Sequence, residues 1–183
     1  MAVAFSRGET VRPLPAAIRR FHWLTVLLLA AMFALAWSFD WLGASDLGAA
    51  LVDWHRSIGI ALFALVLLRL LWRATHRIDP VPGGAPRWER ALAALVQGGL
   101  YLGLLVMPVL GWTASALSGD TIRLFGFALP DVLPMDEDLS DRLFALHGTL
   151  AWLLLGLVAL HVAGALRHHF VKRDGLLNRM RIG

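Results

Sequence analysis

Hydrophobic positions along the chain gather into four long runs, over residues 18–38, 54–75, 90–116 and 143–167. A helix that crosses a bilayer needs about 20 mostly apolar residues, and each run is long enough. None alternates with the period of two expected of a barrel strand. The pattern predicts an all-α membrane protein, a four-transmembrane-helix bundle with one domain over residues 1–183. Arginines near these runs fall close to their ends (Arg19, Arg20, Arg56, Arg69, Arg73 and Arg167), where a long side chain can reach the interface.

Three connections separate the runs. The first, over 38–53, is short and acidic. The second carries Pro80, Pro82, Gly83, Gly84 and Pro86 and reads as an irregular turn. The third, over 117–142, is the longest, and its stretch 125–130 is apolar enough to lie back on the membrane surface. In the third run Gly99 and Gly103 have the spacing that lets helices approach closely, and Pro108 is expected to kink the helix.

Charge assigns an expected orientation. Fourteen of the 17 basic residues belong to the N-terminal tail, the second connection with its flanks, and the C-terminal tail. The other side keeps Arg56, Arg123 and Arg142 beside a series of carboxylates. The positive-inside bias then predicts both termini in the cytoplasm, in a multi-pass membrane protein. A net charge of +4 is thus a topology signal, and nucleic acid is not an expected partner. The basic start of the chain and Ala34-Leu35-Ala36 also fit a cleaved signal peptide, but the apolar run is longer than usual for one. The chain is 58% hydrophobic with mean hydropathy +0.65. It contains no cysteine, which excludes disulfides, thiolate-held clusters and covalently attached haem.

The candidate chemistry lies in the histidines. His147 and His161 are fourteen residues apart in the fourth run, so on a helix they share a face and lie roughly 21 Å apart along the axis. His22 opens the first run and His55 the second. Because successive helices alternate in direction, His22 matches His161 in depth on the cytoplasmic side, and His55 matches His147 on the outer side. Two depth-matched pairs are what two bis-imidazole haems need, and histidine is a common haem ligand. Ionisable groups at such depth are costly and usually functional. Zinc or copper transport, or a proton relay, would want carboxylate or sulfur groups at mid-depth, and the runs hold none there. His76 reads as a solvated surface residue. His168 and His169 read as interfacial packing residues, with a quinone or propionate contact as the alternative.

These residues resemble the bacterial cytochrome b561 family. The similarity is carried by Arg20-Phe21-His22-Trp23-Leu24-Thr25, by His55-Arg56-Ser57-Ile58-Gly59 with Leu68-Arg69-Leu70-Leu71-Trp72-Arg73, and by Met107-Pro108-Val109-Leu110-Gly111-Trp112. Leu146-His147-Gly148-Thr149-Leu150-Ala151 and Leu160-His161-Val162-Ala163, continuing to Arg167-His168-His169-Phe170, complete it. The resemblance implies two haem b groups with His22, His55, His147 and His161 as axial ligands of the iron. It also implies electron transfer between a periplasmic donor, superoxide in one branch of the family, and a ubiquinone-type quinone in the surrounding lipid. Arg56 would bind a propionate or attract an anion, and Arg69 and Arg73 would neutralise propionates. Gln97 stands where relatives often carry a histidine. The outer face is acidic overall, which is unfavourable for steering superoxide from a distance. A membrane anchor relaying electrons between quinone and a soluble redox partner, and a haem-free histidine-bearing transporter, are the competing readings.

Overall fold

A computed structural model describes residues 13–43, 45–76 and 85–181. The expected turn of prolines and glycines over 77–84 lies outside the described residues, as do Arg7, Arg12 and Arg77. Four helices make up the body: α1 over Ala16–Leu42, α2 over Asp46–Thr75, α3 over Arg87–Leu117 and α4 over Glu137–Arg167. All four contain a stretch long and apolar enough to cross a membrane. Each extends beyond its hydrophobic run because polar residues continue the helix into the interface and cap it. Ser45 accepts the N–H of Gly48 at the start of α2, and Asp136 accepts that of Leu139 at the start of α4. Pro15 and Pro86 precede α1 and α3, where a missing N–H costs little.

α1 packs along α2, α2 along α3, and α3 most extensively along α4. The α3–α4 contact depends on missing side chains. A Cβ on Gly99 would stand 3.0 Å from Leu157 Cδ1, and one on Gly103 would stand 3.0 Å from Leu154 Cδ1. Leu62, Leu65, Val66, Leu104 and Leu154 form the buried centre, with Phe21, Met32 and Tyr101 against it. Large apolar side chains elsewhere face outward, as lipid as solvent allows; Leu95 is 72% exposed and Trp152 68%. α3 runs through Pro108, whose missing N–H leaves the Leu104 carbonyl without its usual helical donor.

Both described ends of the chain lie at one end of the bundle, the terminal end. After α4 a wider π-type turn over His168–Lys172 and a short 3-10 helix over Leu176–Met180 fold back onto α1. There Leu14 donates its N–H to the Arg179 carbonyl at 2.9 Å, and Trp23 Nε1 donates to the Met180 carbonyl at 2.8 Å.

The opposite end carries a small antiparallel hairpin, β1 over Arg123–Leu124 and β2 over Phe127–Ala128. Hydrophobic periodicity does not announce strands of two residues. Phe125 (φ 50°) and Gly126 (φ 88°) form a tight turn with two positive φ angles. The Phe125 N–H donates to Ser57 Oγ at 2.9 Å, and the Phe125 ring packs edge-on against Trp54. The apolar 125–130 stretch is thereby tied to the start of α2. Ser140, fully buried, donates to the Ala114 carbonyl at 2.9 Å and joins the start of α4 to the end of α3.

Candidate functional site

α4 presents His147 and His161 toward two different helices. The imidazole centroids of His55 on α2 and His147 on α4 are 6.3 Å apart. Those of His22 on α1 and His161 on α4 are 6.2 Å apart. The first pair lies toward the hairpin end, the second toward the terminal end.

The hairpin-end pair borders a cavity of about 480 Å³, within the range of sites for small molecules and cofactors. Met32, Gly59, Met107, Gly111 and Gly148 line it, with Phe39 edge-on to His55. His147 Nδ1 lies 3.1 Å from the Met107 carbonyl. A carbonyl only accepts, so Nδ1 carries the proton and Nε2 keeps its lone pair. Gly111 makes this possible: a Cβ there would lie 3.0 Å from His147 Cε1 and 3.2 Å from Nδ1. His55 Nδ1 is buried and has no hydrogen-bond partner among the described residues. A Cβ on Gly148 would meet nothing within 4 Å, so the cavity wall is open there.

The terminal-end pair has different neighbours. His22 packs edge-on against Trp23 at 5.3 Å. Arg69 stands close enough to His22 and His161 to act on both electrostatically. Its guanidinium lies over the Tyr101 ring, 5.4 Å from the centroid, and Arg73 lies over the same ring at 5.7 Å. Arg73 Nη1 also donates to the Tyr101 hydroxyl at 3.2 Å. Among the described residues, neither arginine pairs with a carboxylate, and Arg69 Nε is buried without a hydrogen-bond partner. Arg56 is the opposite case, held by Asp120 at 2.6 Å and Ser115 at 3.2 Å.

These donor sets fit a haem. Metal–imidazole bonds are about 2.0–2.1 Å long; adding about 1.1 Å from nitrogen to ring centre puts two imidazoles that share one metal roughly 6.3 Å apart, centroid to centroid. Both observed separations match. Among the described residues, no group of three or more His, Cys, Asp or Glu could hold a metal ion. A pair of neutral nitrogens suits an iron whose other ligands come from a flat macrocycle. Unpaired Arg69 and Arg73 suit its carboxylate side chains.

The remaining histidines do not join either pair. His76 stacks on Trp72 at 4.3 Å and is exposed. His169 packs edge-on against Phe170. His168 lies in an ion cluster: its Nε2 is 2.9 Å from Glu89 Oε1, and its Nδ1 meets Asp174 Oδ2. Arg167 at 3.2 Å and Lys172 meet the same Glu89 oxygen. Burial acts to raise the Asp174 carboxyl, but the hydrogen bond from His168, the Leu176 N–H and the nearby positive charges outweigh it. Its pKa is held below the ordinary value. Gln97 is exposed on the outward side of α3.

Tyr101, Asp120 and the Met107 carbonyl did not emerge from the sequence. Nothing in the local pattern marks a carbonyl as a histidine partner, although Gly111 three residues after Pro108 was a usable sign of close approach.

Comparison with known proteins identifies similar chains. The chain is 34% identical over 165 residues to cytochrome b561 homolog 2 of Escherichia coli K12, covering 87% of this chain and 86% of that protein. Cytochrome b561 homolog 1 of the same organism is 27% identical over 160 residues, covering 87% and 91%. A protein of Yersinia pestis named probable superoxide oxidase CybB is 30% identical over 167 residues, covering 87% and 90%. Residues 14–183 match the family described as prokaryotic cytochrome b561. With four membrane-spanning helices and a match across nearly its whole length, the chain belongs to the prokaryotic cytochrome b561 family and is a membrane cytochrome b.

Proposed function

We propose that the protein is a di-haem cytochrome b that moves electrons between a donor at the hairpin end and quinone in the membrane. The observation that carries the reading is the pair of imidazole couples, 6.2 and 6.3 Å apart, at two levels of α4. Two haem b groups, held by His22 with His161 and by His55 with His147, would supply reversible one-electron transfer. The chain's own residues orient and enclose. The Met107 carbonyl fixes the His147 ring through Nδ1 and leaves Nε2 for the iron. Gly59, Gly111 and Gly148 make room, and Met32, Phe39 and Leu154 give the cavity an apolar lining. Arg69 and Arg73, steadied on Tyr101, would hold the carboxylate groups of a haem at the terminal end. The basic residues of the termini support a cytoplasmic terminal end and a periplasmic hairpin end, in a bacterial inner membrane.

Superoxide is one donor consistent with this reading, supported by the name of the Yersinia pestis relative. Each superoxide would give up one electron and become dioxygen; two such electrons and two protons from water convert quinone to quinol. The alternative is a relay between quinone and a soluble redox partner. The test is quinol formation by the haem-loaded protein in nanodiscs containing a ubiquinone analogue, with superoxide generated enzymatically. Quinol formed in step with superoxide loss, and abolished by His147→Ala, would support superoxide as a donor. Reduced haem with no quinol would overturn superoxide:quinone transfer in favour of the relay. A chain that takes up no haem would overturn both and favour a histidine-bearing transporter.

A further inference from the structure

Among the described residues, Arg56 is the one permanently charged side chain lining the hairpin-end cavity, and it adjoins His55 in sequence. A free guanidinium there would attract small anions to the cavity. This one is not free. Its Nη2 lies 2.6 Å from Asp120 Oδ2, its Nη1 lies 3.7 Å from Asp53 Oδ1, and its Nε donates to Ser115 Oγ at 3.2 Å. The Arg56 side chain is 15% exposed, whereas Asp120 is 53% exposed and stands on the solvent side of the pair. An approaching molecule therefore meets the carboxylate first.

The placement of Asp120 is built into the local fold. Gly119 turns the chain out of α3 with φ of 79°, a conformation that favours glycine. A Cβ on Gly119 would also stand 2.7 Å from Met135 Cε, so the turn is packed from the far side. Asp53 is held by the helix, one turn before Arg56, and its carbonyl accepts the Ser57 hydroxyl. Ser57 also receives the hairpin N–H of Phe125. Both carboxylates thus sit on backbone that is itself pinned, and one guanidinium faces two of them. The triad carries a net negative charge. At the same end of the bundle Asp46, Asp131, Asp136, Glu137, Asp138 and Asp141 are exposed, as are Arg123 and Arg142.

We infer that Asp120 sets the charge preference for electron entry at the hairpin end: by covering Arg56 it favours a cationic one-electron donor over a diffusing anion such as superoxide. The inference rests on the proposed electron-transfer reading, and it names the charge class of the donor. Asp120 is a specificity-determining residue; it need not touch the donated electron's acceptor. Steering by fields of this kind changes association rates by about 10 to 10³ and fades as salt screens it.

The test compares two reductants of opposite charge, hexaammineruthenium(II) and the sulfur dioxide radical anion that dithionite releases. Each gives one electron to the oxidised haem-loaded protein in nanodiscs, followed by stopped-flow absorbance at several ionic strengths. Asp120→Asn keeps an acceptor for the Arg56 guanidinium and removes only the charge. At low salt it should raise the ratio of anionic to cationic reduction rate several-fold, and the change should vanish at high salt. Comparing parent with variant isolates the end of the molecule that carries Asp120. Asp131→Asn, a charge on the same loop that does not meet Arg56, should move the ratio much less. Independently of rate, Asp120→Asn should raise the midpoint potential assigned to the His55/His147 haem, since the uncovered positive charge favours the reduced iron. An unchanged ratio and unchanged potential in Asp120→Asn would overturn the inference, as would equal effects of the two substitutions. Failure of the underlying reading is distinguishable: the protein would then contain no haem to reduce.

Discussion

The two imidazole pairs are spaced alike but lie in opposite electrical surroundings. At the hairpin end the nearby arginine is matched by Asp120 and Asp53, and the His147 ring is anchored on a backbone carbonyl. At the terminal end two arginines lie on Tyr101 with no carboxylate against them, among the described residues. The same ligand chemistry in two fields gives two different affinities for an electron. Positive charge stabilises the reduced iron, so the His22/His161 site should hold the higher potential. Electrons entering at the hairpin end would then run downhill toward the terminal end.

The comparison breaks most visibly at the ligands. His147→Ala should remove the hairpin-end haem and leave the other, and His161→Ala should do the reverse. Each variant should retain about half of the parent's haem, measured by extraction against protein concentration, and the double variant none. Retention of both haems in either single variant would sink the pairing.

Packing gives the next largest effect. Gly111→Val brings side-chain atoms into the His147 ring, which a Cβ alone would already approach to 3.0 Å. Overpacking of this kind costs about 1–3 kcal/mol. It should release the hairpin-end haem at lower temperature in a melt followed by absorbance, with the terminal-end haem unaffected. Gly148→Ala, facing open space, should change the melt much less.

The charge contrast itself is sharpened by Arg69→Leu. Removing one nearby charge in a medium of effective dielectric near 20 is worth on the order of 1 kcal/mol. In a redox titration the higher-potential component should fall toward the lower one. An unmoved component would mean that Arg69 does not act on that site.

The smallest effect concerns the strap of chain that follows α4. The Asp174 carboxyl is held below its ordinary pKa when folded. Its contribution is therefore present in full above the unfolded value, near about 3.9, and is lost as pH falls through the lower folded value. Relative to the intrinsic rate at each pH, amide exchange over residues 174–180 should stay slow at neutral pH and accelerate only in strong acid. Asp174→Asn should accelerate it at neutral pH, and no difference from the parent there would mean that the His168 contact does not hold the strap.

Much of the fold was legible in the sequence because run length and composition decide it. The four helices follow directly from four apolar stretches that no other membrane-crossing structure would satisfy. The hairpin was not legible, because two-residue strands exist through the Phe125-Gly126 turn and its bond to Ser57, which is a tertiary contact. Within the site, the common face of His147 and His161 follows from helix geometry alone. Which side chains surround them does not. The roles of Tyr101, Gly111 and Asp120 depend on how α3 is rotated against α2 and α4, and that rotation is set by Gly99 and Gly103 against Leu157 and Leu154. Arg56 illustrates the limit well: its place beside His55 was plain, but the carboxylate covering it comes from 64 residues further along the chain.

The central claim is that each imidazole pair holds one haem. It is tested most directly by a dithionite-reduced minus oxidised absorption spectrum of the purified protein, with haem counted per chain. Two low-spin b-type haems per chain is the predicted result. One haem would contradict the assignment of one pair, and none, after expression with ample haem, would contradict the account as a whole.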